Sequence, residues 1–585
     1  MSIRRSLPAG LILVAPAVLA AQQTAPVISA PISQGSYELT FTPATAQNRS
    51  LHIAMHFDVA GRGPVLLSLP IWTPGAYEVT YFARFVSAFV ARAGSTDLTW
   101  DKLDFDTWRV RPRAAGPVTV EFDFRADQFD NAKAWSVRDF AFVNGTNVFF
   151  YPEGRSLGFP ATVTVHTDPA WLVTTSMTPT GKPNEYGERN YHDLVDMPFF
   201  IGHFDLDSAE VSGRWTRLAT YPAGAMSPAQ RATYWSQIKK LIPVESSEFG
   251  ETPWKSYSIL VVFDSTFGGG SALEHQASHL SLYDPSLVTT PVVPSITVHE
   301  IIHAWNVKRL RPRDMVPYVY SEEQPTPWLW MSEGITDYYA DLTMVRSGVA
   351  ADSDFYNTTA GKISHVANVP PVALEDASLN IWIHPVDNTD AIYYDKGSLA
   401  GLMLDVMIRD ASDNRRSLDD VMRELYRTTY KTSFTGFTAV EWWGAISRAA
   451  GGRSFTEFNR KYVDGRELYP WSEVLPLAGL SLSVDTQMVA RMGVNSQSDT
   501  LGIRVTGLVA GGAMAEADMR VGDYIVMIAG DSVKDANAFG PQFRQRLVTL
   551  QAKLKFLPNV VYSVQGDPNA PEKAVRIREG LLKGT

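Results

Sequence analysis

The chain has 585 residues, of which 45% are apolar and 19% charged, and its formal net charge is −10. This composition argues against a disordered chain, and the acidic balance argues against the basic face of a nucleic-acid binder. At roughly 150 residues per domain, the length predicts about three or four domains. The absence of cysteine excludes disulfides and thiolate ligands, so any metal must be bound by His, Asp or Glu.

The first twenty residues, MSIRRSLPAGLILVAPAVLA, have the pattern of a secretory signal peptide. Arg4 and Arg5 precede an apolar run, and small residues follow up to Ala20. The alternative is an N-terminal membrane anchor, but Pro16 interrupts a run that is shorter than the ~20 residues a span needs. We expect cleavage after Ala20 or Ala21, and a periplasmic or secreted bacterial protein without stable membrane insertion afterwards.

Residues from about 30 to 210 have the pattern of β-strands. The stretch LHIAMHFDV (51–59) alternates apolar and polar residues, and VTVEFDFRA (118–126) repeats the alternation. A period of two between Gly, Pro and Asn turns is typical of half-buried strands. We therefore expect a sandwich-like or barrel-like β domain in this part of the chain.

The pattern changes near residue 215 and again near residue 476. The stretch SPAQRATYWSQIKKLI (227–242) begins with a Ser-Pro helix start, a buried strand follows, and helical periodicity dominates from 295 to about 470. After residue 476 short strands and Gly-Asp turns return. The predicted units are a signal peptide (1–20), an N-terminal β domain (21–212), a mixed domain that becomes helical (213–475) and a small terminal domain (476–585).

The stretch SITVHEIIHAWN (295–306) contains the spacing H-E-x-x-H. On a helix, His299 and His303 lie one turn apart on the same face, so both imidazoles can reach one metal ion. Glu300 then lies beside the ion, where it can take a proton from a metal-bound water. We expect the helix to begin at Pro294-Ser295 and to end before Pro312.

A catalytic zinc usually has three protein ligands and one open position. The third candidate ligand is Glu333 in PWLWMSEGITDYYADL (327–342), which we expect to form a helix from about Pro327. Asp337 lies one turn further along the same face, where a carboxylate can accept the second N–H of a metal-bound imidazole. The alternative for Glu333 is a surface glutamate, although its apolar neighbours argue against simple exposure.

A second pair of histidines with the same spacing is an alternative metal site. His275 and His279 in EHQASH (274–279) are also four residues apart. Gln276 stands where the first pair has its glutamate, and the preceding FGGGSALE predicts a loop and a strand. We therefore expect these two histidines not to bind the metal.

The combination HEIIHAWNVKRLRP (299–312) and WMSEGITDYY (330–339) resembles the gluzincin metallopeptidases, and specifically the glycyl aminopeptidase family that carries a C-terminal PDZ domain. The N-terminal segment LPIWTPGAYEVTYFARFV (69–86) is similar to the family as well. The resemblance implies a multidomain α+β fold: an N-terminal β-sandwich-like domain, a thermolysin-like catalytic core with a helical C-terminal part, and a PDZ domain. In that domain, LGIRV (501–505) would receive the carboxylate of a peptide or protein C-terminus.

The same resemblance implies two further site residues. SALEH (271–275) is similar to the Gly-Ala-Met-Glu-Asn strand of the wider aminopeptidase group, which makes Glu274 the expected anchor for the substrate α-ammonium. The alternative for Glu274 is an exposed glutamate on an edge strand. AIYYDKGSLAG (391–401) is similar to the segment that supplies a phenol to the oxyanion, which assigns that role to Tyr394 and leaves Tyr393 to packing.

These observations predict a zinc-dependent aminopeptidase with one Zn²⁺ per chain. The resemblance implies that it removes glycine, and then alanine, from peptides with a free N-terminus. A zinc endopeptidase is the near alternative. A requirement for a free α-amino group on the substrate would distinguish the aminopeptidase from it. A non-catalytic peptide-binding or chaperone-like protein with a PDZ module is the distant one, and the intact Glu300 argues against it.

Overall fold

A computed structural model of the protein describes residues 28–385, 389, 391–499, 502–528, 531–532 and 548–585. The predicted signal peptide lies outside the described residues, as does Leu501 at the start of the predicted peptide-binding strand. The described part is a multidomain α+β fold, β-rich at its N-terminal end, mainly helical between residues 292 and 478, and again stranded after residue 479. Among its helices, none has both the length and the hydropathy needed to cross a bilayer.

Three sheets form the N-terminal β domain. In spatial order, the first sheet contains the strands Thr178–Pro179, Glu185–Glu188, Ala161–Thr167, Ile32–Phe41, Ser50–Val59, Gly116–Arg125, Val86–Ala93 and Thr96–Asp97. The second sheet contains Leu172–Thr174, Phe199–Gly202, Phe140–Val143 and Trp135–Val137. The third sheet contains Tyr151–Pro152, Val65–Ser68, Thr107–Arg111 and Thr99–Lys102. Short helices are Pro43–Ala46, Phe82–Phe85, Gly145–Val148 and Tyr191–Val195. The two alternating stretches lie side by side as antiparallel strands. Their apolar residues face the core, as the period of two predicts.

A five-stranded mixed sheet begins the part of the chain that corresponds to the predicted mixed domain and is called the catalytic unit below. Its spatial order is Asp205–Val211, Arg214–Tyr221, Ser256–Phe263, Ser278–Tyr283 and Gly270–His275, with parallel pairing between the three central strands and antiparallel edges. The predicted domain boundary between residues 212 and 213 therefore falls inside a hairpin whose two strands belong to this one sheet. Aromatic residues of the second N-terminal sheet, Trp135, Phe140 and Phe142, share an apolar cluster with Leu260 and Leu280. The two units thus pack against each other directly.

Helices follow the sheet for most of the remaining chain. The α-helices are Pro228–Phe249, Val292–Ile302, Thr336–Arg346, Asp352–Ala367, Leu374–Asn380, Ile392–Ala411, Leu418–Leu425, Ala439–Ala449, Thr456–Phe458 and Trp471–Val474. Three π-helical turns are Trp330–Ile335, Tyr426–Lys431 and Asn459–Val463, and 3₁₀ turns are Pro285–Thr289, Arg313–Met315, Ile381–Ile383 and Leu475–Ala478. Ser227 caps the first long helix and Pro228 occupies its first position, as predicted.

The described residues after 479 form a long ribbon, small strands and a terminal helix. Leu480–Arg491 pairs with Lys555–Gly566 in antiparallel register. Between them lie the strands Val494–Asp499, Gly502–Leu508, Tyr524–Ile525, Met527–Ile528 and Asp531–Ser532, and the short helix Ala513–Glu516. The last element is the helix Glu572–Lys583. A PDZ fold for this region stays a prediction.

The terminal helix packs onto the catalytic helices and does not belong to a separate terminal unit. Its buried side chains are Ala574, Ile577, Leu581 and Leu582. Two buried guanidinium groups bind carbonyl oxygens at this end of the chain: Arg346 Nε donates to Leu581 in the helix at 3.1 Å, and Arg409 Nη1 donates to Thr585, which follows the helix, at 2.8 Å. The predicted terminal domain 476–585 therefore ends before this helix, because the helix completes the core of the domain before it.

Ile577→Ala should lower the free energy of unfolding by about 2–5 kcal/mol, because it leaves a cavity in a closed apolar contact. Ile577 is fully buried. Glu579→Ala on the same helix is the matched control. Its side chain is exposed and, among the described residues, forms an ion pair only with Lys583, so the cost should stay within about 0.5 kcal/mol. The measurement is the free energy of unfolding of the catalytic unit in urea. If both variants lowered it by equally small amounts, the terminal helix would not contribute to the core of that unit.

Candidate active site

The predicted metal ligands converge on one point. His299 lies near the end of the helix Val292–Ile302, and His303 lies just after its last residue. The two Nε2 atoms are 3.0 Å apart, and Glu333 Oε2 is 3.5 Å from the first and 3.2 Å from the second. Tetrahedral zinc with ligands at ~2.0–2.1 Å requires donor atoms about 3.3 Å apart. The donor set and its spacing therefore fit a zinc ion.

The helix with the two histidines begins two residues earlier than predicted. It starts at Val292, so Pro294 lies in its first turn. This is permitted because the first backbone N–H groups of a helix have no internal acceptor, and proline lacks that donor anyway. The helix ends well before Pro312, and the chain then turns back through backbone bonds from Val307 and Lys308 to the His303 carbonyl.

Glu333 reaches the histidines from a π-helical turn, which the sequence pattern does not predict. The turn Trp330–Ile335 runs directly into the helix Thr336–Arg346. A Cβ on Gly334 would lie 2.5 Å from the Tyr393 carbonyl oxygen and 2.6 Å from the Gly397 Cα. Only glycine permits this close crossing of the two helices. The crossing brings the segment with Tyr394 beside the segment with Glu333.

Asn306 forms hydrogen bonds both to His303 and to the segment that contains Glu333. The sequence analysis did not predict this role. Its carbonyl oxygen accepts a hydrogen bond from His303 Nδ1 at 2.7 Å, which leaves Nε2 free to bind a metal. Its amide donates to the Met331 carbonyl and to Thr336 Oγ1, both at 3.0 Å. The asparagine of the HAWN motif therefore connects the segment of the two histidines to the π-helical turn that contains Glu333 and to the helix after it.

Asp337 faces His299, as predicted. Its Oδ1 lies 3.6 Å from His299 Nδ1, and its Oδ2 pairs with the buried Lys362 at 2.5 Å. Burial alone would lower the pKa of His299, but Asp337 and Glu333 outweigh burial and raise it to about 10. Burial would raise the pKa of Glu333, but the two histidines lower it. Without a metal, the imidazoles thus hold protons that a bound cation would replace.

Glu300 lies beside the ligands and is almost completely buried. It is 5% exposed, and its Oε2 has no hydrogen-bond partner among the described residues. Burial raises the pKa of its carboxyl to about 7, against the opposing effect of the two histidines. A pKa near neutrality suits a group that both accepts and returns a proton. Oxygens of Glu300 and Glu274 also lie within 4.8 Å of a nitrogen of His303.

Glu274 lies on the edge strand Gly270–His275 but is not exposed. Only 4% of Glu274 is accessible, because a loop of the N-terminal β domain that contains Gly75 covers it. The approach is so close that a Cβ on Gly75 would lie 2.6 Å from both carboxylate oxygens. Its Oε1 is 3.6 Å from the fully buried Lys308 Nζ, which lies 3.1 Å from Asp196 Oδ1. Lys308 therefore lies between two carboxylates, closer to that of Asp196 than to that of Glu274. The sequence analysis assigned no role to either partner.

Tyr394 lies beside the predicted metal ligand His299, and Tyr393 is core. The Tyr394 ring is 6.0 Å from the His299 ring, while Tyr393 is 1% exposed and stacks on Tyr394 at 4.8 Å. Burial, with the nearby negative charge of Glu333, raises the pKa of Tyr394 well above its usual value. The phenol therefore stays protonated at neutral pH and remains a hydrogen-bond donor.

The other histidine pair is structural. His275 and His279 lie on two antiparallel strands, not on a helix. His275 Nδ1 faces Asp196 at 3.2 Å, and His279 Nδ1 faces the Tyr257 hydroxyl at 3.1 Å. Burial lowers the pKa of His279 to about 3. Neither histidine belongs to a group of metal-binding side chains within the described residues.

Comparisons with known proteins agree with this geometry. The model of the M61 peptidase N-terminal domain matches residues 36–203, and the model of the M61 glycyl aminopeptidase matches residues 293–400. No curated protein matches the sequence. Fold and site thus define a metallo-aminopeptidase, a hydrolase of peptide bonds. Over residues 36–203 and 293–400 the chain is similar to the M61 glycyl aminopeptidase family.

Two solved structures share the fold. An aminopeptidase N family protein from Idiomarina loihiensis has a TM-score of 0.78 at 21% identity, with 94% of this chain and 100% of that chain covered. A mutant M1 zinc metallopeptidase from Deinococcus radiodurans, bound to a Tyr-Ser-Ala substrate, has a TM-score of 0.50 at 17% identity, with 75% and 95% covered. At these identities the likeness concerns the fold alone.

Proposed function

We propose that this protein is a zinc aminopeptidase that removes N-terminal residues, glycine first and alanine second, from peptides with a free α-amino group. The observation that carries the proposal is that two further carboxylates, those of Glu300 and Glu274, lie beside the group formed by His299, His303 and Glu333. Glu300 and Glu274 both come within 4.8 Å of His303, yet neither belongs to the converging ligand trio. The order of glycine and alanine rests on the family resemblance.

Zinc bound by the three ligands would supply Lewis-acid polarisation of water and of the scissile carbonyl. Glu300 accepts a proton from the attacking water and returns it to the leaving amine. Glu274 pairs with the substrate α-ammonium, which is mostly cationic at neutral pH. Tyr394 donates its phenol hydrogen to the developing oxyanion. Asp337 orients His299, and the Asn306 carbonyl orients His303.

The buried position of Glu274 supports an aminopeptidase over an endopeptidase. An endopeptidase must pass a chain through both sides of the site. Here the N-terminal loop at Gly75 covers the carboxylate directly. A carboxylate closed in this way can pair with a terminal ammonium but leaves little space for further residues.

We expect one zinc per chain and chelator-sensitive hydrolysis of a glycyl anilide that zinc restores. His303→Gln should lose the zinc, since it removes one ligand of the trio. His279→Gln is the matched control and should keep zinc and activity, because His279 lies on a core strand and contacts Tyr257. Metal analysis and anilide turnover on both variants give the answer. Zinc lost only from the second variant would move the site to the other histidine pair.

The proposal includes location and a docking role for the terminal strands. Export to the periplasm or the cell exterior rests on the sequence of residues 1–20 alone. A PDZ-like unit would form from the predicted domain 476–585, without its terminal helix. Its expected ligand is a peptide or protein C-terminus, added as a strand to a sheet edge.

A further inference from the structure

We infer that Tyr77, from the N-terminal β domain, is a positioning residue that aims the metal ligand Glu333. The inference rests on the proposed ligand role of Glu333 and not on the choice of substrate. Tyr77 lies in the segment TPGAY (73–77), 256 positions before Glu333 in the chain. Its hydroxyl donates a hydrogen bond of 2.7 Å to Glu333 Oε1. Both side chains are buried, at 3% and 2% exposure.

The two oxygens of Glu333 have different partners. Oε2 faces both histidines, at 3.5 Å from His299 and 3.2 Å from His303. Oε1 is held by Tyr77. A carboxylate with one oxygen tied and one oxygen facing the imidazoles is oriented to bind a cation through the second oxygen. Partners of this kind around metal ligands typically change affinity by 10- to 100-fold when they are removed.

The loop that carries Tyr77 is anchored to the catalytic unit. Trp72 Nε1 donates to the Val319 carbonyl at 2.8 Å, and the Ile71 N–H donates to the Tyr320 carbonyl at 2.8 Å. The Tyr77 ring packs edge-on against Trp382 at 6.4 Å. The loop that presents the Tyr77 hydroxyl to Glu333 is therefore held in place by contacts with the catalytic unit.

The backbone at Tyr77 supports a functional reason for this placement. Its φ is +51°, a left-handed conformation that is uncommon for residues with a bulky side chain. Such strain persists only where the surrounding contacts enforce it, and it concentrates at functional sites. Here the left-handed backbone coexists with the hydrogen bond to Glu333.

The test is the zinc dissociation constant of Tyr77→Phe, measured by competition with a chromogenic chelator at fixed pH. The variant keeps the ring and removes only the hydroxyl, so we expect zinc binding to weaken 10- to 100-fold with the thermal midpoint of the metal-free protein little changed. At saturating zinc, kcat/KM should recover most of its loss. Unchanged zinc affinity overturns the inference, including when kcat falls, because Tyr77 would then act on the substrate.

Two further variants keep the test decisive. Tyr318→Phe is the matched control: this tyrosine is also buried, and its hydroxyl has no hydrogen-bond partner among the described residues, so zinc affinity should not change. In the Glu333→Gln background, Tyr77→Phe should weaken zinc binding much less than in the wild type, because the two residues act as one unit. Equal effects in both backgrounds would show that Tyr77 acts independently of Glu333.

Failure of the inference and failure of the proposed function are distinguishable. If the wild-type protein binds no zinc at His299, His303 and Glu333, the proposed function fails. If it binds one zinc and Tyr77→Phe binds it equally well, only the inference about Tyr77 fails.

Discussion

Acetylation of the substrate α-amino group should lower kcat/KM by roughly 30-fold to several thousand-fold. Acetylation removes the charge that pairs with Glu274, in a site where that carboxylate is 4% exposed. Leaving one partner of a buried charge pair without its counterpart costs about 2–5 kcal/mol, and each ~1.4 kcal/mol is tenfold. Lys308 offsets only part of this cost, since its Nζ lies closer to Asp196, at 3.1 Å, than to Glu274, at 3.6 Å.

Glu274→Gln should lose most of the discrimination between a glycyl anilide and its acetylated form. Glutamine keeps the volume that packs against Gly75 and removes the charge. Zinc should stay bound, because Glu274 is outside the ligand trio. The matched control is Glu322→Gln, an exposed glutamate whose substitution should leave both rates unchanged. Measurements are kcat/KM for both substrates on all three proteins.

Two outcomes would contradict this assignment in different ways. If the wild type cleaves both substrates equally, a free amine is not recognised and Glu274 has another role. If the wild type discriminates and Glu274→Gln discriminates equally, the substrate class stands and the ammonium binds elsewhere.

Glu300→Gln should lower kcat by ~10² or more, the usual contribution of general acid–base catalysis. The amide keeps the shape of the side chain but cannot accept the proton of the attacking water. Zinc content should not change, because Glu300 does not belong to the trio formed by His299, His303 and Glu333. Metal analysis beside steady-state kinetics separates the two effects.

Glu245→Gln is the matched control for this experiment. Glu245 is another fully buried glutamate, and burial, reinforced by Glu248, raises its pKa well above the usual value. Glu245 belongs to neither group of candidate metal-binding side chains among the described residues, so the amide should leave kcat unchanged. Glu300→Gln at the wild-type rate would reject the proton-transfer role. Loss of zinc from Glu300→Gln would instead assign the metal to the second donor group, Glu274, Glu300 and His303.

Local patterns in the sequence were sufficient to predict several strands and the convergence of the two histidines of the H-E-x-x-H motif. Alternation of apolar residues predicted the strands Ser50–Val59 and Gly116–Arg125, because successive strand residues point to opposite faces. The spacing of His299 and His303 predicted their convergence, since a helical turn places them on one face. These inferences need only the geometry of one element, which the sequence period determines by itself.

The tertiary structure alone decided which distant groups complete the site. Tyr77, Asp196 and Lys308 lie in separate segments and meet around Glu333 and Glu274 only after the β domain packs on the catalytic unit. No local period encodes such contacts, because they depend on loop paths and on helix crossings that small residues such as Gly334 and Gly397 permit. The terminal helix follows the same rule. The sequence analysis predicted short strands and Gly-Asp turns after residue 476, and both the helix Glu572–Lys583 and the core that it completes were found only in the folded structure.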